Sequence, residues 1–327
     1  MQKCVSFVVS LMISTLAAAQ LPVPEVAIDA PGPAGPLKGV LLEAEGGAKR
    51  VALIIPGSGP TDRDGNNRLG VQASTYKLLA HDLAARSVAT VRIDKRGMFT
   101  SAAAVPDANA VTIADYAADV RSWVGVIRKR TGVDCIWLIG HSEGGLVAMA
   151  AADAEPGICG LVLVATAGRP MGTVLREQIK ANPANAPLLT QAMSAIDALE
   201  QGRRVDTADM HPALKGLFAP QVQGFLVSAF AYDPARMLAR YAKPVLILQG
   251  QRDIQVGERD ALLLKQAVPN GTLVLLPNVN HVLKQVQSDA MRANLASYAD
   301  PSLPLAPGVG SAIAEFMVVG TKRGNQE

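Results

Sequence analysis

Residues 135–150 read Cys-Ile-Trp-Leu-Ile-Gly-His-Ser-Glu-Gly-Gly-Leu-Val-Ala-Met-Ala. An unbroken apolar run, Cys135 to Ile139, leads into Gly140-His141-Ser142-Glu143-Gly144, and a helix-like segment follows from Gly145. An apolar run without polar alternation predicts a strand buried on both faces, as in a parallel sheet covered by helices. G-x-S-x-G where a strand turns into a helix is the pattern of a nucleophile elbow. The turn forces Ser142 into a strained conformation. Glycine is needed two residues either side, because strand and helix pass too closely for a Cβ.

The same rhythm extends in both directions. Short apolar runs recur at Val51–Ile55, Ala89–Ile93, Leu161–Ala165, Val245–Leu248 and Thr272–Leu276. Helical spacing lies between them at Tyr76–Arg86 and Ile113–Arg130. Strand and helix in repetition predict an α/β fold, a doubly wound and mostly parallel sheet with right-handed crossovers. Residues 169–243 break the rhythm with four helix-like pieces and no strand, and read as a helical cap inserted above the sheet. The core is therefore expected in two parts, 20–168 and 244–319. Pro301 to Pro307 reads as a loop, Gly310–Val319 as a last helix, and 320–327 as a flexible tail.

A serine hydroxyl is a weak nucleophile until a neighbouring base takes its proton. The chain has four histidines. His281, in Asn278-Val-Asn-His281 after the last apolar run, falls on the sheet edge that carries the elbow. His81, His141 and His211 read as surface or packing residues, with the His141 side chain pointing away from the serine. A histidine base needs an acid to orient it. Asp253 stands directly after Val245–Leu248, and Glu258 is the substitute a turn further on. Ser142, Asp253, His281 is the chain order expected of this fold. An oxyanion needs preorganised donors. One is expected from the backbone N–H of Glu143. The second is expected from Pro56-Gly57-Ser58-Gly59-Pro60, where Ser58 occupies the donor position and Gly59 is the fallback.

These features resemble the α/β-hydrolase superfamily. The block Gly57-Ser-Gly-Pro-Thr-Asp-Arg-Asp-Gly-Asn66, with Asp94-Lys-Arg-Gly97, looks like a bacterial carboxylesterase subgroup akin to serine aminopeptidases. The resemblance spans about residues 38 to 318. One departure follows Gly97, where the family often has Gly-x-Ser and this chain has Met98-Phe-Thr-Ser101. Asp62, Arg63 and Asp64 are read first as braces of their loop. The resemblance implies hydrolysis of a small-molecule carboxylic ester, with no cofactor and no metal, and the apolar residues of the insertion, such as Leu217, Phe225, Leu226 and Phe230, point to short to medium acyl chains. Three other readings stay open. A peptidase shares the machinery, and an aminopeptidase also needs a cap acid such as Glu177 or Glu200 to hold the substrate amine. A perhydrolase uses the same triad, and a binding protein could reuse the scaffold.

Composition bounds the rest. The 327 residues are 49% apolar and 18% charged, which excludes a disordered chain. Thirty-one Lys and Arg against 28 Asp and Glu, without a clustered basic face, argue against nucleic-acid binding. Lys3, the apolar run Val5–Leu16 and Ala17-Ala18-Ala19 read as a signal peptide over 1–19, cut near Ala19/Gln20. The expected destination is the periplasm or the medium, with an uncleaved anchor as the rival. No later stretch is long and apolar enough for a stable membrane span. Cleavage leaves Cys135 and Cys159. Two buried free thiols are the default for them, although an exported protein permits a bridge. Oligomeric state is not readable from the sequence.

Overall fold

The apolar runs form strands in the computed structural model, which describes residues 23–324 apart from 45, 154 and 289. The strands are β1 (Glu25–Ala30), β2 (Leu37–Leu42), β3 (Arg50–Ile55), β4 (Val88–Ile93), β5 (Ile136–His141), β6 (Ile158–Val164), β7 (Val245–Gly250) and β8 (Thr272–Leu276). They make one sheet in the order β1-β2-β4-β3-β5-β6-β7-β8. β2 runs antiparallel to β1 and β4, and the strands from β4 to β8 are parallel. Every residue of β4, β5 and β7 is buried, as apolar runs between two helical layers require.

Eleven α-helices are described: α1 (Thr75–Ala84), α2 (Ile113–Thr131), α3 (Glu143–Ala152), α4 (Met171–Ala181), α5 (Leu189–Glu200), α6 (Pro212–Lys215), α7 (Pro220–Phe230), α8 (Pro234–Leu238), α9 (Glu258–Ala267), α10 (Met291–Ala296) and α11 (Val309–Gly324). Alternate strand residues feed two cores. Leu53, Val91, Leu138 and Ile247 pack with α2, α3 and α9. Ala52, Ile54, Ile139 and Leu248 pack with α1 and α11 on the other face. α2 starts at a capping box between Thr112 and Asp115 and ends at Gly132 in the left-handed conformation.

The insertion is all helical. α4 to α7 share a core of their own around Ile196, Leu199 and Phe218. Ion pairs tie the insertion to the base. Arg169 bridges Asp260 of α9 at 2.8 Å and Glu177 of α4 at 2.5 Å, and Arg259 reaches Glu177 at 3.4 Å.

Several expectations change. β1 and β2 were not foreseen. β1 is largely exposed, and Lys38 and Gly39 interrupt the apolar pattern of β2. Helices α9 and α10 lie in stretches for which the sequence predicts no helix. The last helix runs on through the expected tail to Gly324. Gly320, which reads as a helix stop, instead lets α11 approach Trp137, whose ring a Cβ there would strike. The default of two free thiols is overturned, since Cys135 and Cys159 form a disulfide with Cα atoms 5.2 Å apart. A bulge at Ile136/Trp137 displaces the β5–β6 register and sets the two cysteines side by side. The signal segment 1–19 lies outside the described residues. No described helix is long and apolar enough to cross a membrane.

Candidate active site

Ser142 sits at φ 54°, ψ −122°, between the last residue of β5 and the first of α3. Such a φ is strained for a residue with a Cβ, and the surrounding packing imposes it. The flanking glycines show how tight the turn is. A Cβ on Gly140 would meet the backbone of Gly144, and one on Gly144 would meet the carbonyl of Ile55.

His281 follows β8, and Asp253 follows β7. The structure brings them together: His281 Nδ1 and Asp253 Oδ2 are 2.7 Å apart, both buried. Asp253 Oδ1 accepts the backbone N–H groups of Gln255 and Val256, at 2.8 and 2.9 Å. Burial alone would raise the Asp253 carboxyl. The charge and hydrogen bond of His281, with the two N–H groups, outweigh burial and hold it below the ordinary value. Glu258, the substitute acid, instead accepts a hydrogen bond from Gln251 at the surface. Ser142 opens into the cavity described below. Among the described residues no hydrogen bond joins its hydroxyl to His281, a contact that in free hydrolases often tightens only on substrate binding.

The histidine loop is pinned from behind. Asn280 donates to Asn294 at 3.1 Å and Ser297 at 2.7 Å, and its Oδ1 accepts the N–H of Lys284. Gln249 donates to Asp253 Oδ2 at 3.3 Å and to the carbonyls of Gly250 and Val256.

His141 does not merely pack. Nδ1 lies 2.9 Å from the Tyr76 hydroxyl and Nε2 lies 2.8 Å from the carbonyl of His281. The Tyr76 hydroxyl accepts the N–H of Gly57 at 2.9 Å. The residue before the serine thus links the histidine loop to the loop after β3. Burial first, then the neighbouring His281, push the His141 imidazole down to about 3, so it is neutral near pH 7.

Ser58 and Gly59 face Ser142 and Glu143 across one cavity. Neither the Ser58 nor the Glu143 N–H donates to a backbone acceptor among the described residues. Lys95 and Glu143 form a buried pair at 3.7 Å beneath this point. Burial lowers the Lys95 ammonium and raises the Glu143 carboxyl, while each partner's charge opposes the shift. Tyr76, Gln249 and Asn280 carry no local signal beyond a polar residue inside or beside an otherwise buried stretch, and Lys95 was legible only as part of the Asp94-Lys-Arg-Gly97 block, without a role.

The loops around the site are braced as their acids suggest. Asp62 Oδ1 accepts the N–H groups of Asp64 and Asn66, at 2.9 and 2.8 Å. Arg63 pairs with buried Asp94, and Asp64 with buried Arg92. Phe99, in the departure after Gly97, takes φ 45°, a conformation that favours glycine. Ser101 still accepts the N–H of Lys38 at 2.8 Å and donates to the Asp94 carbonyl at 3.0 Å, so the loop keeps its anchorage.

The cavity has a volume of about 290 Å3. Its floor is Ser142 and the oxyanion-side loop. Its roof comes from the insertion, chiefly Met171, Val174, Leu175, Leu217, Phe225 and Leu226. The described lining contains one arginine, Arg169, and one carboxylate, Glu143. Among the described residues no cluster of three potential metal ligands occurs.

An eight-stranded sheet with a serine elbow at its C-terminal edge and a helical cap above it defines an α/β hydrolase. The profile of the Hydrolase_4 family, described as serine aminopeptidase, S33, matches residues 66–285, and the chain belongs to that family. Esterase EstD of Thermotoga maritima is 25% identical over 238 residues. That match covers 71% of this chain and 54% of EstD, so the chain spans about half the length of this curated relative. Two solved structures share the fold. Est1E from Butyrivibrio proteoclasticus superposes with a TM-score of 0.55 at 18% identity, covering 90% of this chain and 99% of that one. The esterase Pf2001 of Pyrococcus furiosus gives 0.54 at 13% identity, covering 93% and 98%.

Proposed function

We propose that the protein is a serine hydrolase of carboxylic esters with short to medium acyl chains, acting through an acyl-enzyme on Ser142. The observations that carry this reading are the strained Ser142 at the floor of a largely apolar cavity and the buried His281–Asp253 pair, whose imidazole lies 4.7 Å from the ring of His141, the residue before the serine. In the proposed cycle His281 removes the hydroxyl proton as Ser142 Oγ attacks the acyl carbon. Asp253 orients the imidazole through Nδ1 and stabilises its charged form. The N–H groups of Ser58 and Glu143 hold the oxyanion. His281 then protonates the departing alcohol, and water repeats the sequence to release the acid.

An ester is favoured over an aminopeptide by the charges around the cavity. Binding a substrate ammonium calls for an unpaired carboxylate. Glu177 is engaged by Arg169 and Arg259, and Glu200 by Arg176 at 2.6 Å. Glu143 faces Lys95. A cavity of about 290 Å3 lies at the small end of ligand sites, which suits an acyl group of a few carbons. EstD is named as an esterase, which supports the same choice.

We also hold the protein to be exported, cut near Ala19/Gln20. The Cys135–Cys159 bridge supports this, since structural disulfides belong to oxidising compartments.

A panel of p-nitrophenyl esters of rising chain length, run beside aminoacyl p-nitroanilides, tests the function. We expect the highest kcat/KM on a short or medium ester. A higher kcat/KM on any anilide overturns the ester reading in favour of the peptidase.

A further inference from the structure

The loop after β3 is held from below by a residue that no part of the proposed cycle uses. Lys95, just beyond the end of β4, is 6% exposed. Its Nζ donates to the carbonyl oxygen of Gly57 at 2.7 Å. That oxygen and the N–H of Ser58 belong to the same peptide group. The group is planar and trans, so its C=O and N–H point in opposite directions as one rigid unit. Holding the oxygen from beneath aims the Ser58 N–H into the cavity. The other side of Gly57 is held too, because its own N–H donates to the Tyr76 hydroxyl.

The same ammonium lies 3.7 Å from the carboxylate of Glu143 and 5.4 Å from the centre of the Tyr116 ring. Glu143 supplies the other candidate donor from its backbone. One buried cation therefore touches the peptide of the first donor and the side chain of the second. A cation hydrogen-bonded to a carbonyl also polarises that peptide, which makes its N–H a stronger donor in a low-dielectric interior. Structural ion pairs are common, but this one sits at the point where negative charge would develop.

We propose that Lys95 is a positioning residue for the oxyanion hole, orienting and polarising the Gly57–Ser58 peptide while Glu143 keeps the ammonium in place. The inference rests on the serine-esterase reading. Lys95 touches no substrate, so its contribution belongs to the transition state and not to ground-state binding.

The test uses the full mature protein and a short-chain p-nitrophenyl ester, with a trifluoromethyl ketone that forms a tetrahedral adduct on the serine. Lys95→Met removes the donor at nearly constant shape. It should lower kcat on the order of 10- to 100-fold and weaken the ketone by the same factor, leaving KM within about threefold. Lys95→Met also strands the Glu143 carboxylate, so the double variant Lys95→Met/Glu143→Gln is measured beside it. Removing both charges should restore the melting temperature and leave kcat low. If Lys95 served only to balance a buried charge, the double variant would regain wild-type kcat, and that result overturns the proposal. A folded Lys95→Met enzyme with wild-type kcat also overturns it. If the single variant does not fold, the double variant alone decides. Labelling of wild-type Ser142 by a fluorophosphonate separates the two readings. An inert wild-type serine removes the esterase reading and the role of Lys95 with it. A labelled serine with unchanged kcat in the variants removes only the role of Lys95.

Discussion

Ser142 and His141 are neighbours in the chain with opposite tasks. The elbow turns the serine toward the cavity and the histidine back into the protein, where it joins Tyr76 to the His281 carbonyl. Two predictions belong at this scale. Ser142→Ala and His281→Ala should each reduce ester turnover on the order of 10⁴-fold or more, because such residues act as a unit. Asp253→Asn should cost somewhat less. Initial-rate measurements on variants with wild-type melting curves check this, and a folded Ser142→Ala protein with near-normal rates contradicts it. His141 predicts a pH effect on stability. In the unfolded chain its imidazole takes up a proton near pH 6.5, whereas in the fold it resists until about 3. The unfolded state binds more protons in between, so stability falls as pH drops through that window. The loss should be about 2 kcal/mol by pH 5 and about 4 kcal/mol by pH 3. Urea denaturation at a series of pH values reads it, and His141→Gln should flatten the part of the slope between pH 6.5 and 5.

At the scale of elements, the parallel strands were legible because burial between two helical layers leaves short runs rich in Val, Leu and Ile, a mark that even the half-buried edge strand β8 keeps. β1 and β2 were not, because one is largely exposed and the other carries a lysine and a glycine. The two cysteines show the same limit. Each sits at the start of a run, but only the bulged β5–β6 register decides that their Cα atoms come within bonding range. Electrospray mass of exported, unreduced protein should correspond to residues 20–327 with no free thiol. An intact Met1, or two titratable thiols after denaturation, counts against the export reading or the bridge respectively. Reduction should destabilise the fold by about 3 kcal/mol, given a loop of this size.

At the scale of the whole molecule, the cap divides its apolar residues between two uses. Leu188, Leu199, Phe218 and Phe230 build the cap's own core. Leu217, Phe225 and Leu226 line the cavity over Ser142. Leu217 lines the cavity without belonging to that core, so enlarging it should shorten the acyl range without disturbing the cap. Leu217→Trp should lower kcat/KM for hexanoyl and octanoyl esters on the order of tenfold. The acetyl ester should stay within about threefold. Equal loss across all chain lengths would place the acyl group elsewhere.

The sequence by itself determined the α/β class, the position of the elbow and the identity of the serine, acid and histidine candidates. Each of these leaves a local mark: a buried run, a glycine where a Cβ cannot fit, or a polar residue directly after a strand. Tertiary structure alone decided that Glu177 and Glu200 are taken up by arginines, that the cysteines are bridged, and that Lys95 and His141 reach the loops around the serine. The contacts of His141 span 65 and 140 residues of chain, and that of Lys95 with Gly57 spans 38. Local periodicity carries no information over such separations, because the path of the intervening chain sets which distant groups meet.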